Sequence, residues 1–274
     1  MKRLLLVVLS FVSVAISAAE PGAPYELRGD WQQGSVLIGT TTPGAHVKFN
    51  GRVLKVSAEG LFVFGLDRDE KADAELAVAL PGGKEVAEHH TVAPRDWDVQ
   101  PINGLPPKLV NPPPAAAARI KTEGAKIAAA KQRDTDRSDF NTPFIWPAHG
   151  RISGVFGSQR ILNGEPKTPH YGVDVAVPIG TPILAPAGGV VSLAERNLYF
   201  TGGTVIIDHG HGLQSILVHL SKVLVKPGDA VKQGQLVAES GMTGRATGPH
   251  LHWGLYWFSE HVDAQKFTGP MTAP

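Results

Sequence analysis

The sequence predicts a mainly β protein in three parts. These are a small antiparallel β-sandwich over residues 20–93, a Pro/Ala-rich linker with a helix over 94–145, and a second antiparallel β region over 146–268. Three observations carry that reading. Short runs of Val, Ile, Leu and Phe recur between Gly- and Pro-containing turns, the texture of strands rather than of long helices. Asn50-Gly51 joins two such runs, and a type I′ hairpin turn needs positive φ at both central positions, which Asn and Gly tolerate best. Helix-forming composition is concentrated in residues 115–133, rich in Ala, Lys and Arg.

Taken in order, the chain opens on Lys2 and Arg3, an almost entirely apolar run over residues 4–16, and the small residues Ser17, Ala18 and Ala19. That is the order of a cleavable signal peptide, residues 1–19. The apolar run falls short of the roughly 20 residues a membrane span requires, so no stable membrane anchor is expected. Strands follow at Val36-Leu37-Ile38, Val47-Lys48-Phe49, Val53 to Val56, Leu61 to Phe64 and Leu76 to Leu80, each bounded by turn residues. In the linker, Pro106-Pro107 and Pro112-Pro113-Pro114 impose extended backbone. The helix after them is weakened by Gly124 and shows no sustained heptad, so a surface helix is expected rather than a coiled coil. Val173 to Val175, Gly189 to Val191, Thr204 to Ile207 and Ile216 to Leu220 then read as strands.

Composition removes several classes of function. The 274 residues contain no cysteine, which excludes disulfides, a lipidated cysteine and thiolate metal ligation. Without Lys2 and Arg3, 24 basic residues face 25 acidic ones. A near-neutral chain with no basic run argues against nucleic acid as a partner.

Chemistry is concentrated in three segments: His170-Tyr171-Gly172-Val173-Asp174, His219 within Leu217 to Ser221, and Gly248-Pro249-His250-Leu251-His252-Trp253-Gly254. In a strand, residues two apart share a face. His250 and His252 therefore project together while Leu251 and Trp253 point into a core. One of the two imidazoles can bind a metal while the other reaches the attacking water, and strand geometry does not say which. His170 and Asp174 add a nitrogen and an oxygen. Two His, one Asp and an open position make a catalytic zinc site, whereas a structural site is closed by four protein ligands. The remaining histidines read differently. Asp208-His209-Gly210-His211-Gly212 is expected to be a solvated turn. His46, His89-His90 and His261 are expected at the surface or in caps, without partners.

Residues 146–267 resemble the catalytic domain of the M23 (LytM/lysostaphin-like) zinc metallopeptidases. Beyond the three segments, the likeness rests on Val155 to Arg160, His170 to Ala176, Pro178 to Ile183 and Thr243 to His252. It implies an antiparallel β fold with the site in a groove, Zn2+ held by His170, Asp174 and His252, and catalytic roles for His219 and His250. It also implies peptidoglycan peptides as substrate. Many members carry Tyr two residues before the histidine that His219 matches, where this chain has Leu217. Residues two apart share a face, so Leu217 is expected to alter groove polarity there, bearing on substrate detail more than on catalysis.

No H-E-x-x-H places a glutamate as general base, so an imidazole must take the proton, with His250 the expected base and His219 the oxyanion or leaving-group partner. With the signal peptide, the expected location is periplasmic or secreted. The leading alternative is a non-enzymatic relative that activates another wall hydrolase. Such a protein would lack ligands, and all five positions are filled here. A carrier domain is a further alternative, suggested by the hairpin-rich residues 225–235. It lacks the lysine expected at the tip of a carrier hairpin.

Overall fold

The computed structural model describes residues 23–271; the expected signal peptide lies outside them. The first strands are β1 (Tyr25–Arg28), β2 (Val36–Thr41), β3 (His46–Phe49), β4 (Arg52–Leu54), β5 (Leu61–Gly65), β6 (Asp73–Ala79) and β7 (Glu85–Thr91). They form two antiparallel sheets, β1-β2-β5 and β4-β3-β6-β7. Both contribute to one buried cluster, in which Leu37, Phe62 and Phe64 meet Val47, Phe49 and Leu76. The hairpin between β3 and β4 turns on Asn50 and Gly51 with φ of 47° and 77°, the left-handed pair that a type I′ turn requires.

The linker is less of a spacer than its prolines suggest. Its strand β8 (Val99–Ile102) is followed by α1 (Pro107–Val110) and α2 (Ala117–Lys131). Helix α2 is mostly exposed, carries an Arg119–Glu123 pair at i,i+4 (2.6 Å) and buries Ala130, with Ile127 packed beside it.

The rest of the chain supplies β9 (Arg151–Gly154), β10 (Gln159–Leu162), β11 (Glu165–Pro166), β12 (Val173–Ala176), β13 (Pro182–Leu184), β14 (Gly189–Leu198), β15 (Gly202–Gly210) and β16 (Leu213–Leu220). It continues with β17 (Lys222–Val223), β18 (Ala230–Val231), β19 (Leu236–Glu239), β20 (Leu251–Trp257), β21 (Glu260–Val262) and the short helix α3 (Ala264–Thr268). An eight-stranded antiparallel sheet runs β18-β14-β15-β16-β20-β12-β9, with β21 paired to β20. One face of its central strands, with Val205, Ile207, Leu217, Leu251 and Trp253, joins the main core. The opposite face, with Ile206, Ile216, Val218 and Tyr256, is covered by Ile127 and Ala130 of α2. A smaller sheet, β11-β10-β8, incorporates the linker strand, which pairs parallel to β10.

The sandwich is packed onto the second β region. Trp257, Phe258 and Val262 belong to the same buried cluster as Phe49 and Phe64, and a Cβ on Gly65 would meet Trp257 and Val262 at 2.8 Å. Polar contacts close the seam: Arg68 Nε donates to the Gly157 carbonyl (2.8 Å), the His261 amide to Asp67 (2.8 Å), and Arg95 pairs with Asp263 at 3.0 Å. Asp263 in turn caps α3 through the Gln265 and Lys266 amides.

Candidate metal centre and groove

Asp174 on β12 lies directly opposite His252 on β20 in the sheet register. His170 sits just before β12, its backbone held by reciprocal bonds to Ser158 and Gly157, each 2.8 Å. Three atoms consequently form a tight triangle: His170 Nε2 to Asp174 Oδ1 3.0 Å, His170 Nε2 to His252 Nδ1 2.9 Å, and His252 Nδ1 to Asp174 Oδ1 2.8 Å. Two glycines keep the space open. A Cβ on Gly172 would lie 2.6 Å from the His252 ring, and one on Gly154 would lie 2.5 Å from Asp174 Oδ2.

Backbone carbonyls fix the tautomers. His170 Nδ1 donates to Val155 O (2.9 Å), His219 Nδ1 to Thr243 O (2.7 Å) and His250 Nδ1 to Gly248 O (2.8 Å). A carbonyl only accepts, so each Nδ1 carries the hydrogen and each Nε2 of the neutral ring offers a lone pair. Two imidazole nitrogens and one carboxylate oxygen crowd within 3.0 Å of one another. A metal cation satisfies all three, and among the described residues this is the one His/Asp group arranged to hold a metal ion.

Burial is the main electrostatic force on the site. It pushes His252 down to about 4 against the opposing pull of Asp174. It pushes His219 down to about 3, helped by repulsion from His250 and His252. Burial alone would raise Asp174, but its electrostatic interactions and hydrogen bonds with His170 and His252 hold the carboxyl well below its ordinary value. Both rings are therefore neutral at physiological pH and the carboxylate is ionised, the protonation states in which these groups bind metals.

His219 reaches the groove by an irregularity. Val218 pairs with His252 and shares its face, so a regular strand would turn His219 away. Instead, β16 carries an extra residue relative to β15 between its pairings with Val205 and Gly203, and His219 takes φ of 63°. Its ring centroid then lies 4.7 Å from that of His250, the two rings tilted by 52°. This corrects the expectation for Leu217. The i−2 rule fails across a bulge, so Leu217 is fully buried opposite Trp253 in the main core, and Val218 takes its place in the groove wall.

The groove encloses about 330 Å³. All five predicted side chains, His170, Asp174, His219, His250 and His252, line it. Residues beyond the predicted set line it too. Gln100, Ile102 and Leu105 come from the linker and form part of one wall. Arg160 reaches Asp174 Oδ2 at 2.6 Å, which turns Oδ1 toward the two histidines. Its place in the Val155 to Arg160 segment was the signal available, but strand parity alone assigned it no role.

The other histidines stay outside the groove. His209 lies near the end of β15 and His211 in the hairpin turn that follows, but this turn is not solvated. His209 is buried at the end of β15, bonded to Gly188 O (2.7 Å) and Ser215 Oγ (2.9 Å), and His211 is covered by Phe140. His46, His89 and His90 lie on the sandwich. His89 has Asp73 and Glu75 as neighbours and His90 stacks on Trp31, so these two have local partners after all. His261 stacks on Tyr171 at 3.6 Å, beside His170, and bonds to Asp67 across the seam.

The model of peptidase family M23 matches residues 168–264, a span that includes all five groove residues. A crystal structure from Pseudomonas aeruginosa assigned to peptidase M23 is 31% identical. Its alignment covers 88% of this chain and 96% of that one, at a TM-score of 0.68. The chain belongs to peptidase family M23. Within the family it is similar to the peptidoglycan DD-endopeptidase ShyA of Vibrio cholerae, 37% identical over 61% of this chain and 40% of ShyA. ShyB of the same organism is 41% identical over 48% of this chain and 31% of its own length. A metalloprotease of Haemophilus influenzae is 50% identical over 38% of this chain and 22% of its own length. The chain thus spans less than half the length of these curated M23 relatives.

Proposed function

We propose that this chain is an exported zinc endopeptidase that hydrolyses peptide cross-links of bacterial peptidoglycan. One observation carries the reading: three mutually facing ligand atoms of His170, Asp174 and His252 lie beside two further imidazoles whose bare Nε2 atoms are fixed by backbone carbonyls. The first set would hold Zn2+, and His219 and His250 would act on the substrate. The peptidoglycan substrate is suggested by the names of the Vibrio relatives.

Bound zinc would supply a Lewis acid that acidifies water and polarises the scissile carbonyl. The protein supplies the proton path. His250, 3.8 Å through Nε2 from Asp174 Oδ1, accepts the proton of the attacking water. His219, with its ring centroid 4.7 Å from that of His250, would take up the proton that His250 removes from the water and pass it to the oxyanion or the leaving amine. Arg160 holds the Asp174 carboxylate in position. Residues 1–19 would be removed on export to the periplasm or the medium. Residues 20–93, 94–145 and 146–268 would act as sandwich, linker and catalytic unit.

The competing reading, a non-enzymatic activator of another hydrolase, requires no proton acceptor at His219 or His250, whereas both tautomers are set for one. Digestion of purified peptidoglycan by the metal-loaded protein tests the proposal. It should convert cross-linked into uncross-linked peptides, and an unchanged muropeptide profile would favour the activator.

A further inference from the structure

Three basic side chains line the groove, and they differ in their partners. Arg160 is held by Asp174 at 2.6 Å, and Lys167 by Glu165 at 2.8 Å and Asn111 at 3.0 Å. Arg245 has no carboxylate partner among the described residues. Its guanidinium lies 4.6 Å over the Phe200 ring instead. Of the residues lining the groove, Asp174 is the one acid, and it is already shared by Arg160 and two histidines. The groove therefore carries uncompensated positive charge, although the chain as a whole is close to neutral.

Arg245 is also rigidly mounted. Its amide donates to Phe200 O at 2.8 Å. Gly244 has φ of 70°, and a Cβ there would strike Gly202 N and Phe200 O at 2.5 Å, so the loop is pressed against the turn between β14 and β15. Thr243, two residues upstream, fixes the His219 tautomer, and His250 follows on the same loop. The guanidinium is thus positioned on the side of the two catalytic histidines. Lying over the Phe200 ring, the guanidinium still offers a planar fork of N–H donors matched to a carboxylate. Burial and the nearby Arg160 both disfavour the charge on Arg245, a penalty that an incoming anion removes.

We propose that Arg245, stacked on Phe200, docks a free carboxylate of the substrate peptide next to the scissile bond and makes the groove selective for acidic over amidated peptides. This rests on the endopeptidase reading above for the identity of the ligand. Neutral or amidated peptides would leave the guanidinium unpaired in a partly desolvated groove.

The test compares two cross-linked peptidoglycan peptides that differ in whether their side carboxylates are free or amidated. Binding is measured by calorimetry on the full chain carrying His250→Ala, which removes turnover, and kcat/KM is measured on the unaltered chain. The acid form should be preferred about 10- to 100-fold in both, the range for a hydrogen bond to a charged group. Arg245→Gln should bring the ratio close to one, Arg245→Lys should leave an intermediate ratio, and zinc content should stay the same in both. Equal or absent binding of the two peptides by the His250→Ala chain overturns the proposal. So does an acid preference that survives Arg245→Gln, or an equal loss on both peptides, which would make Arg245 a packing residue. If neither peptide is cleaved while the binding preference holds and disappears in Arg245→Gln, the carboxylate site stands and the endopeptidase reading falls.

Discussion

Replacing Gly172 with alanine adds one methyl group at the most crowded point of the proposed metal centre. The new Cβ would lie 2.6 Å from Cε1 and Nε2 of His252 and from the Trp253 carbonyl oxygen. Ordinary contact begins at 3.4 Å, so about 0.8 Å must be gained. The carbonyl belongs to β20, paired on both sides within the large sheet, and cannot recede cheaply. The His252 ring must therefore swing, taking Nδ1 off a triangle whose edges are 2.8 to 3.0 Å. Metal–ligand distances tolerate deviations of about 0.2 Å, so a shift several times larger weakens or removes this ligand. Metal affinity should fall by at least about 10- to 100-fold, the range seen when ligand support is disturbed. Overpacking should lower stability by about 1–3 kcal/mol. Gly172 does not have positive φ, so backbone strain does not complicate the reading. Competition with a chelator gives the affinity and thermal unfolding of the metal-free protein gives the stability. Wild-type zinc affinity in Gly172→Ala would refute the placement of His252 against Gly172.

Four other outcomes follow from the same structure. Gly124→Ala, in the middle of α2 with open space around it, should raise stability by about 1 kcal/mol; a lower unfolding midpoint would mean that the helix is absent there. Leu217→Ala should cost about 2–5 kcal/mol without changing substrate preference, because the side chain is in the core; an altered preference with full stability would put Leu217 in the groove. Arg160→Met should weaken zinc binding about 10- to 100-fold by freeing the Asp174 carboxylate, and unchanged affinity in a chelator titration would remove its positioning role. Burial pushes His209 down to about 4, so the folded ring resists a proton that the unfolded one accepts near 6.5. The sign follows: stability is full above about pH 6.5 and declines toward pH 4, with His209 accounting for about 3 kcal/mol of the loss. Denaturant midpoints at pH 7.5 and 4.5 should therefore differ less in His209→Gln than in the unaltered chain, and equal differences would contradict this.

What the sequence made legible was whatever depends on local rules. The Asn50-Gly51 turn, the alternation that buries Leu251 and Trp253 while exposing His250 and His252 to one groove, and the helix after the linker prolines all follow from side-chain period and turn chemistry. The placement of His219 does not, because a bulge reverses strand parity at the residue where it matters. That is why Leu217 was expected in the groove and lies in the core. The hairpin at His209 and His211 was expected to be solvated because its own composition is polar; residues 135–140, distant in sequence, cover it. The linker wall formed by Gln100, Ile102 and Leu105, and the burial of Trp257 against the sandwich, are likewise set by long-range packing that no periodicity encodes.

The central claim is that three residues hold the metal and two others work on the substrate. It is tested most directly by measuring zinc content together with peptidoglycan hydrolysis in five single variants. His170→Ala, Asp174→Ala and His252→Ala should lose metal and activity together. His219→Ala and His250→Ala should keep zinc while turnover falls about 10²–10⁴-fold, the usual effect of removing a positioned acid or base. Loss of zinc in His250→Ala with retention in His252→Ala would reverse their roles, and full activity in both would contradict the account.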